Sequence, residues 1–308
     1  MPVVHEDAID TFFVAEELES VRDEVYVKYP EAKYSSLIPV DSSDDEGAEF
    51  VGYTQYDSVG ASAIVASGTT DSPSVDVFAK KFLLPVHELG NNYRYDYREM
   101  RNAKKAGKKL DSARARVSAT SIEQHHDRIA MLADGTNNKE FGGMYGMVFH
   151  PNFTKVSALK TFASATALEI IAYFGAMVAK IVTDTKGIYR PNTFAMSDEV
   201  YVELNSILVP NTSMTVLKFL KETYSDFTWE THYVLNNVGK NPTTNAVTAT
   251  RVILCYHKSP DVLRYIQPMP YKTYPAVIEG RSIKVETAST SGGVEARQPL
   301  AVLVYHSF

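Results

Sequence analysis

The 308-residue chain is 44% hydrophobic and 22% charged, the balance of a folded protein large enough for one big domain or two ordinary ones. Its formal charge of −6 argues against a dedicated nucleic-acid binder, which needs cationic surface to release counterions. The single cysteine, Cys255, excludes an internal disulfide and lies in an apolar run where a buried, inert thiol is expected.

The first residues, MPVVHEDAID, lack the basic and apolar regions of a secretion signal, and synthesis in a reducing cytoplasm is expected. Residues 1 to about 38 read as an arm. Ile9, Phe12, Phe13 and Val21 alternate with acidic residues in a short amphipathic helix. An extended stretch, broken by Pro30 and Pro39, follows. The arm has no second apolar layer, so Phe12 and Phe13 must pack on the body or on a neighbouring subunit. In the acidic loop Asp41 to Gly47, Glu46 stands where a calcium loop needs glycine, so the loop reads as a solvated turn.

From Glu49 to about Glu88 the pattern is strand, turn, strand. Val75, Val77 and Ala79 alternate with Ser74, Asp76 and Lys80, as on a two-sided ribbon. Such a ribbon is marginal alone and gains stability by lying on other subunits.

A helical block is expected from Tyr93 to Gly135, with a first helix over Asp96 to Ala106 that breaks at Gly107. A longer helix starts behind Asp111 as N-cap. Ala115, Ala119, Ile122, His126, Ile129 and Ala133 form one stripe along it. Gly135 suits the left-handed residue that ends a helix. The stripe alone fits an ordinary packed helix as well as a rod of roughly 30 Å in a shell protein.

Phe141 to Ser157 reads as a glycine-rich crossover. Phe162 to Val182 approaches membrane-spanning length, but Thr166, Glu169, Tyr173, Lys180 and Asp184 share one polar face, which favours a half-buried helix. A strand at Asn192 to Met196, a helix from Ser197 to Ile207 capped by Ser197, and a helix after Ser213 follow. Further strands are expected at Thr231 to Asn236 and Val247 to His257. The tail returns to β structure at Ile283 to Thr287, turns at Ser289 to Gly293, and runs on to Tyr305.

No nucleophile, phosphate-cradling or dinucleotide motif is present. His125, His126 and Asp127 are adjacent rather than four apart, so they do not make a metal pair on one helix face. Glu169 and Glu203 carry no pairing signature for acid–base work. The basic run Arg101, Lys104, Lys105, Lys108, Lys109, Arg114 and Arg116 suits nucleic acid, an acidic partner surface or a solvated turn. No catalytic, cofactor-binding or metal-binding residue is expected, and no cofactor.

One ordered set of segments carries more information than any single motif. It comprises Tyr29-Pro30, Leu37-Ile38-Pro39-Val40, Tyr56-Asp57-Ser58-Val59-Gly60-Ala61, Pro73-Ser74-Val75-Asp76-Val77 and Pro85 to Gly90. Tyr95 to Ala103 with Gly107 and Leu110-Asp111, Asn192 to Met196, Gly292-Gly293-Val294 and Arg297 to Ala301 complete it. In this order the chain resembles the tailed-bacteriophage major capsid proteins of the Hong Kong 97 fold. The resemblance implies an α+β fold with an N-arm (1–40), an extended β-loop (46–88), a peripheral domain with a long spine helix (89–144 and 263–308) and an α/β axial domain (145–262). It implies no reaction but self-assembly into the pentamers and hexamers of an icosahedral head around double-stranded DNA.

Subunit-interface candidates under that reading are Phe12 and Phe13 in the arm, Phe78, Lys80, Lys81 and Phe82 at the ribbon's return, and Arg94, Arg98 and Arg101 near the subunit junction. The implied partners are further copies of the chain, a separate scaffolding protein, a portal, a possible decoration protein and loosely held packaged DNA, with no membrane. The implied location is the virion, after synthesis in the host bacterial cytoplasm. An encapsulin-like nanocompartment shell has the same fold, and a soluble α/β enzyme with an unrecognised site is the third alternative.

Overall fold

A computed structural model describes residues 30–60, 74–105, 110–162, 164–244, 246 and 250–306. The chain divides into two units, Met1–Glu31 and Ala32–Phe308, and the second holds every element described below. The expected arm helix with Phe12 and Phe13 lies outside the described residues.

In chain order the elements are α1 (Tyr34–Leu37), β1 (Val40–Asp41), β2 (Phe50–Val59), β3 (Asp76–Pro85), β4 (His87–Asp96), α2 (Tyr97–Lys105), α3 (Leu110–Leu132), β5 (Thr154–Ser157) and α4 (Ala167–Asp184). Then come β6 (Thr193–Met196), α5 (Asp198–Ser206), α6 (Val216–Thr223), β7 (Thr228–Thr231), β8 (Val252–Tyr256) and β9 (Leu263–Ile266). β10 (Lys272–Thr273), β11 (Val277–Glu279), β12 (Ser282–Ser291), β13 (Gly293–Ala296) and β14 (Val302–His306) complete the chain.

A five-stranded sheet ordered β5-β14-β8-β6-β7 separates two cores. Along β8, Val252, Leu254 and Tyr256 enter one core with Ile129 and Tyr265, while Ile253 and Cys255 enter the other with Ile170 and Phe174. β14 divides its residues the same way, Val302 and Val304 against Leu303 and Tyr305. Burial on both faces is why these strands are apolar at every position but His306 instead of alternating. It also fixes Cys255 as a packing residue, whose thiol burial pushes above its ordinary range.

α4 covers the second core with Ile170, Phe174, Met177 and Ile181 at four- and three-residue steps. Thr166 and Glu169 close a reciprocal capping box at its start. No described helix is long and apolar enough to cross a membrane.

The structure corrects several local expectations. Tyr34 to Leu37 is a helical turn, not an extended segment, because Tyr34, Leu37 and Ile38 have helical spacing and all three are buried in the first core. Tyr93 to Asp96 is strand, not helix. All of β4 pairs with β12, from Asp96↔Ser282 to His87↔Ser291, and Leu89 and Tyr95 point inward on the period-two side. Asp111 lies inside α3, not before it as a cap. Phe141 to Ser157 ends in strand β5, and Thr231 to Asn236 is the end of β7 followed by a 3-10 turn. α6 is capped by Thr215, whose hydroxyl accepts the Lys218 amide at 3.3 Å, and not by Ser213.

The turn expected at Ser289 to Gly293 is absent. β12 continues to Ser291, and Gly292 passes the chain into β13 of another sheet, β1-β9-β13. Gly293 has φ +73°, and a Cβ there would meet the Tyr145 carbonyl at 2.8 Å. β14, expected with the peripheral segment 263–308, is hydrogen-bonded instead between β5 and β8.

The expected stripe on α3 holds in its second half, where Ile122, His126, Ile129 and Ala133 are buried, while Ala115 and Ala119 are half-buried. His126 is a structural residue, its ring nitrogens each 2.8 Å from the hydroxyls of Tyr265 and Ser289. Burial, then the neighbouring His125 charge, holds its pKa down to about 4. His150, packed on Phe153 with ring centroids 4.5 Å apart, is held at about 4 by burial and by Lys155. The unfolded chain therefore binds more protons between about pH 4 and the ordinary histidine value near 6.5. Stability rises with pH across that window and is lost as pH falls, by up to about 1.4 kcal/mol per pH unit for each histidine. Urea midpoints at a series of pH values test this. His150→Phe should remove one histidine's share of the slope, and an unchanged slope would contradict the assignment.

Candidate subunit interface

β2 and β3 form a hairpin of ten paired residues on each strand, in register from Phe50↔Pro85 to Val59↔Asp76. Cross-strand partners share a face, so one face carries Val51/Leu84, Tyr53/Phe82, Gln55/Lys80, Asp57/Phe78 and Val59/Asp76. At its base this face rests on the body. Leu84 is buried, the Tyr53 hydroxyl donates to the Ala296 carbonyl at 2.7 Å, and Tyr53 stacks on Phe82 at 5.1 Å. The Lys80 ammonium lies over the Phe82 ring at 4.8 Å. Beyond the base both faces are exposed. Phe78 is 57%, Tyr56 72% and Val77 59% accessible, an unusual amount of apolar surface to leave open.

At the other end of β4 the chain turns into α2. There Asp96, Tyr97, Arg98, Met100, Arg101 and Arg281 line an open cleft of about 750 Å³. The carboxylates around it are already matched. Glu99 pairs with Arg114, and Glu279 pairs with Arg94 at 3.1 Å. Arg114 also donates to the Arg94 carbonyl and lies over the Tyr95 ring at 4.9 Å. Among the described residues, no carboxylate lies within ion-pair distance of Arg98, Arg101 or Arg281. The expected basic run is therefore split: Arg114 is structural, whereas Arg101 lines the cleft beside Arg98, which lies outside that run.

The interface candidates thus fall into two groups at opposite ends of β4. Phe78, Lys80, Lys81 and Phe82 are on the ribbon, but parity puts Lys80 on the body-facing side and Lys81, opposite Thr54, on the other. Arg94, Arg98 and Arg101 are at the cleft end. Arg281 was not foreseen, because only the β4–β12 pairing brings it beside Asp96. Tyr53, Asp57 and Asp76 were also missed, because only the β2–β3 register puts them on one face.

Catalytic chemistry finds no comparable constellation. Among the described residues no group of three or more His, Cys, Asp or Glu side chains is placed to hold a metal. His125 instead bonds the Glu140 carbonyl at 2.8 Å, and Asp41 is tied to Arg264 at 2.6 Å.

The major capsid protein family matches residues 60–306. The chain belongs to that family. The capsid protein also has the architecture of solved shells. It is similar to the capsid of the Myoviridae phage XM1 at a TM-score of 0.81 and 17% identity, over 96% of this chain and 98% of that one. A Mycobacterium phage Ogopogo structure gives 0.64 and 13%, over 99% of each chain. A virus-like particle from Pyrococcus furiosus gives 0.50 and 13%, over 82% and 86%. No curated protein matches the sequence. Family membership makes this chain a structural capsid protein and not an enzyme, and favours a capsid over the nanocompartment shell. The fold is the expected Hong Kong 97-like α+β architecture.

Proposed function

We propose that the capsid protein assembles with copies of itself into the pentamers and hexamers of an icosahedral head that encloses double-stranded DNA. The observation that carries this is the ribbon: ten residue pairs, exposed on both faces beyond Tyr53 and Phe82, and far too apolar for a solvated hairpin. Straps of this kind bury their surface between subunits. In this reading 46–88 is the strap, α3 the spine of a peripheral domain, and the five-stranded sheet with α4, α5 and α6 the axial domain, to which β14 is added. The arm, with Phe12 and Phe13, is a second strap. A separate scaffold, a portal, a possible decoration protein and loosely held DNA are the further partners, and the chain is made in the host cytoplasm before it joins the virion.

Light scattering with negative-stain imaging of the purified chain tests assembly: closed shells support the reading, while a monomer that stays monomeric with the scaffold protein co-expressed would overturn it. The arm gives a sharper test. Deleting residues 1–31 should leave a folded chain whose shell yield drops about tenfold or more. Deleting 1–38 also removes Tyr34, Leu37 and Ile38 from the core, and should cost the fold itself. Normal shells from the first deletion would contradict the strap role of the arm.

A further inference from the structure

We propose that the distal, body-facing side of the ribbon docks into the arginine cleft of an adjacent copy, with Asp57 and Asp76 meeting Arg98, Arg101 and Arg281. The inference rests on the shell-building reading above and names the two surfaces that meet.

The ribbon face that packs on its own body at Tyr53, Phe82 and Leu84 continues outward as Asp57, Phe78, Val59 and Asp76. All four are exposed, so the gripping side of the hairpin extends past the body it grips. Beyond Lys80 this stretch holds two carboxylates and no cation among its described residues. The opposite side at the same level, Tyr56, Ser58, Val77 and Ala79, carries no charge. The polarity of the distal ribbon is therefore one-sided and negative.

The cleft is its complement. Three guanidiniums surround it against one carboxylate, Asp96, whose oxygen accepts the Arg98 amide at 2.7 Å. Met100 and Tyr97 supply apolar wall for Phe78 and Val59. Arginine forks hold carboxylates with two parallel bonds, which gives such a contact direction as well as strength.

The two surfaces belong to different copies. The ribbon leaves the body at the His87 end of β4, and the cleft forms at the Asp96 end. Nine residues of strand, about 30 Å, separate the two ends, and within one chain Asp57 and Asp76 are exposed and form no ion pair with the three arginines. A contact between unlike patches is head-to-tail, the kind that closes into rings or extends into shells.

The test uses the full chain in three forms: Asp57→Arg with Asp76→Arg, Arg98→Glu with Arg101→Glu, and all four together. Each one-sided reversal should cut shell yield by about tenfold or more, because like charges then face each other. The fourfold swap should restore most of the yield. Wild-type yield from either one-sided form overturns the contact, as does a fourfold form that melts like wild type yet does not recover.

A second measurement avoids the charges. Val59→Cys with Met100→Cys should give covalently linked multimers from oxidised shells, since Cys255 is buried and takes no part. Monomers alone would overturn the contact. If the unaltered chain forms no shells with its scaffold present, the reading under Proposed function fails, and the contact fails with it.

Discussion

Replacing Asp127 with alanine should cost about 4 kcal/mol or more and leave little folded protein, since whole domains are held by only about 5–15 kcal/mol. Asp127 is 1% exposed, and one oxygen, Oδ1, accepts the backbone amides of Lys33 and Tyr34 at 2.9 and 3.0 Å. The same oxygen lies 2.9 Å from Nε2 of the fully buried His232. His232 Nδ1 accepts the Val234 amide at 3.3 Å, which leaves the ring proton on Nε2 and makes Nε2 the donor to Asp127. One side chain on the spine helix thus ties α1 and the 3-10 turn after β7 into the first core. Alanine strands three donors at once, and buried donors without partners are the costly kind. Both carboxylate oxygens lie 2.9 Å from His232 Nε2, so Asp127→Asn keeps the acceptor for the two amides but sets an amide NH2 beside the ring N–H, and should lose about 1–3 kcal/mol. Urea midpoints of the two variants decide. An alanine variant within about 1 kcal/mol of wild type would show that the three donors find other partners.

How far these features can be read without coordinates depends on the interaction that fixes each one. Ile122, His126 and Ile129 on α3 were legible because a single period runs through one helix that packs on one core. The cap at Ser197 was legible for the same local reason, whereas Thr166, read as part of a polar helix face, is the N-cap that closes a capping box with Glu169. Ser289, Thr290 and Ser291 were read as a turn because their composition is that of a loop. They are buried strand, and their hydroxyls bond the Met269 carbonyl, the Met269 amide and Tyr265. Only the fold supplies those partners. Tyr93 to Asp96 failed similarly: helical residues downstream drew the reading, while the strand partner lay nearly two hundred residues away in β12. At the interface, the ribbon was visible as alternation without a core, yet which side grips the body required the register. Asp57, Asp76 and Arg281 acquire meaning only once β2–β3 and β4–β12 are paired.

Cutting the ribbon back to its base should abolish shells while leaving the monomer intact. Removing residues 54–81 and joining Tyr53 to Phe82 by an Asn-Gly turn keeps the stack, the Tyr53 bond to Ala296 and the buried Leu84. The described residues removed are all exposed and contribute almost no buried surface, and the urea midpoint should stay within about 1 kcal/mol of wild type. The assembly loses a strap about 30 Å long whose Tyr56, Val59, Val77 and Phe78 have no cover in the single chain. A stable contact needs about 800 Å² from each partner, and the truncation removes four large exposed apolar side chains from this one element. Sedimentation should therefore find folded single chains or small rings in place of closed particles. Shells of normal size from the truncated chain would mean that the head closes through the axial domains and the arm, and that the exposed ribbon serves some other end.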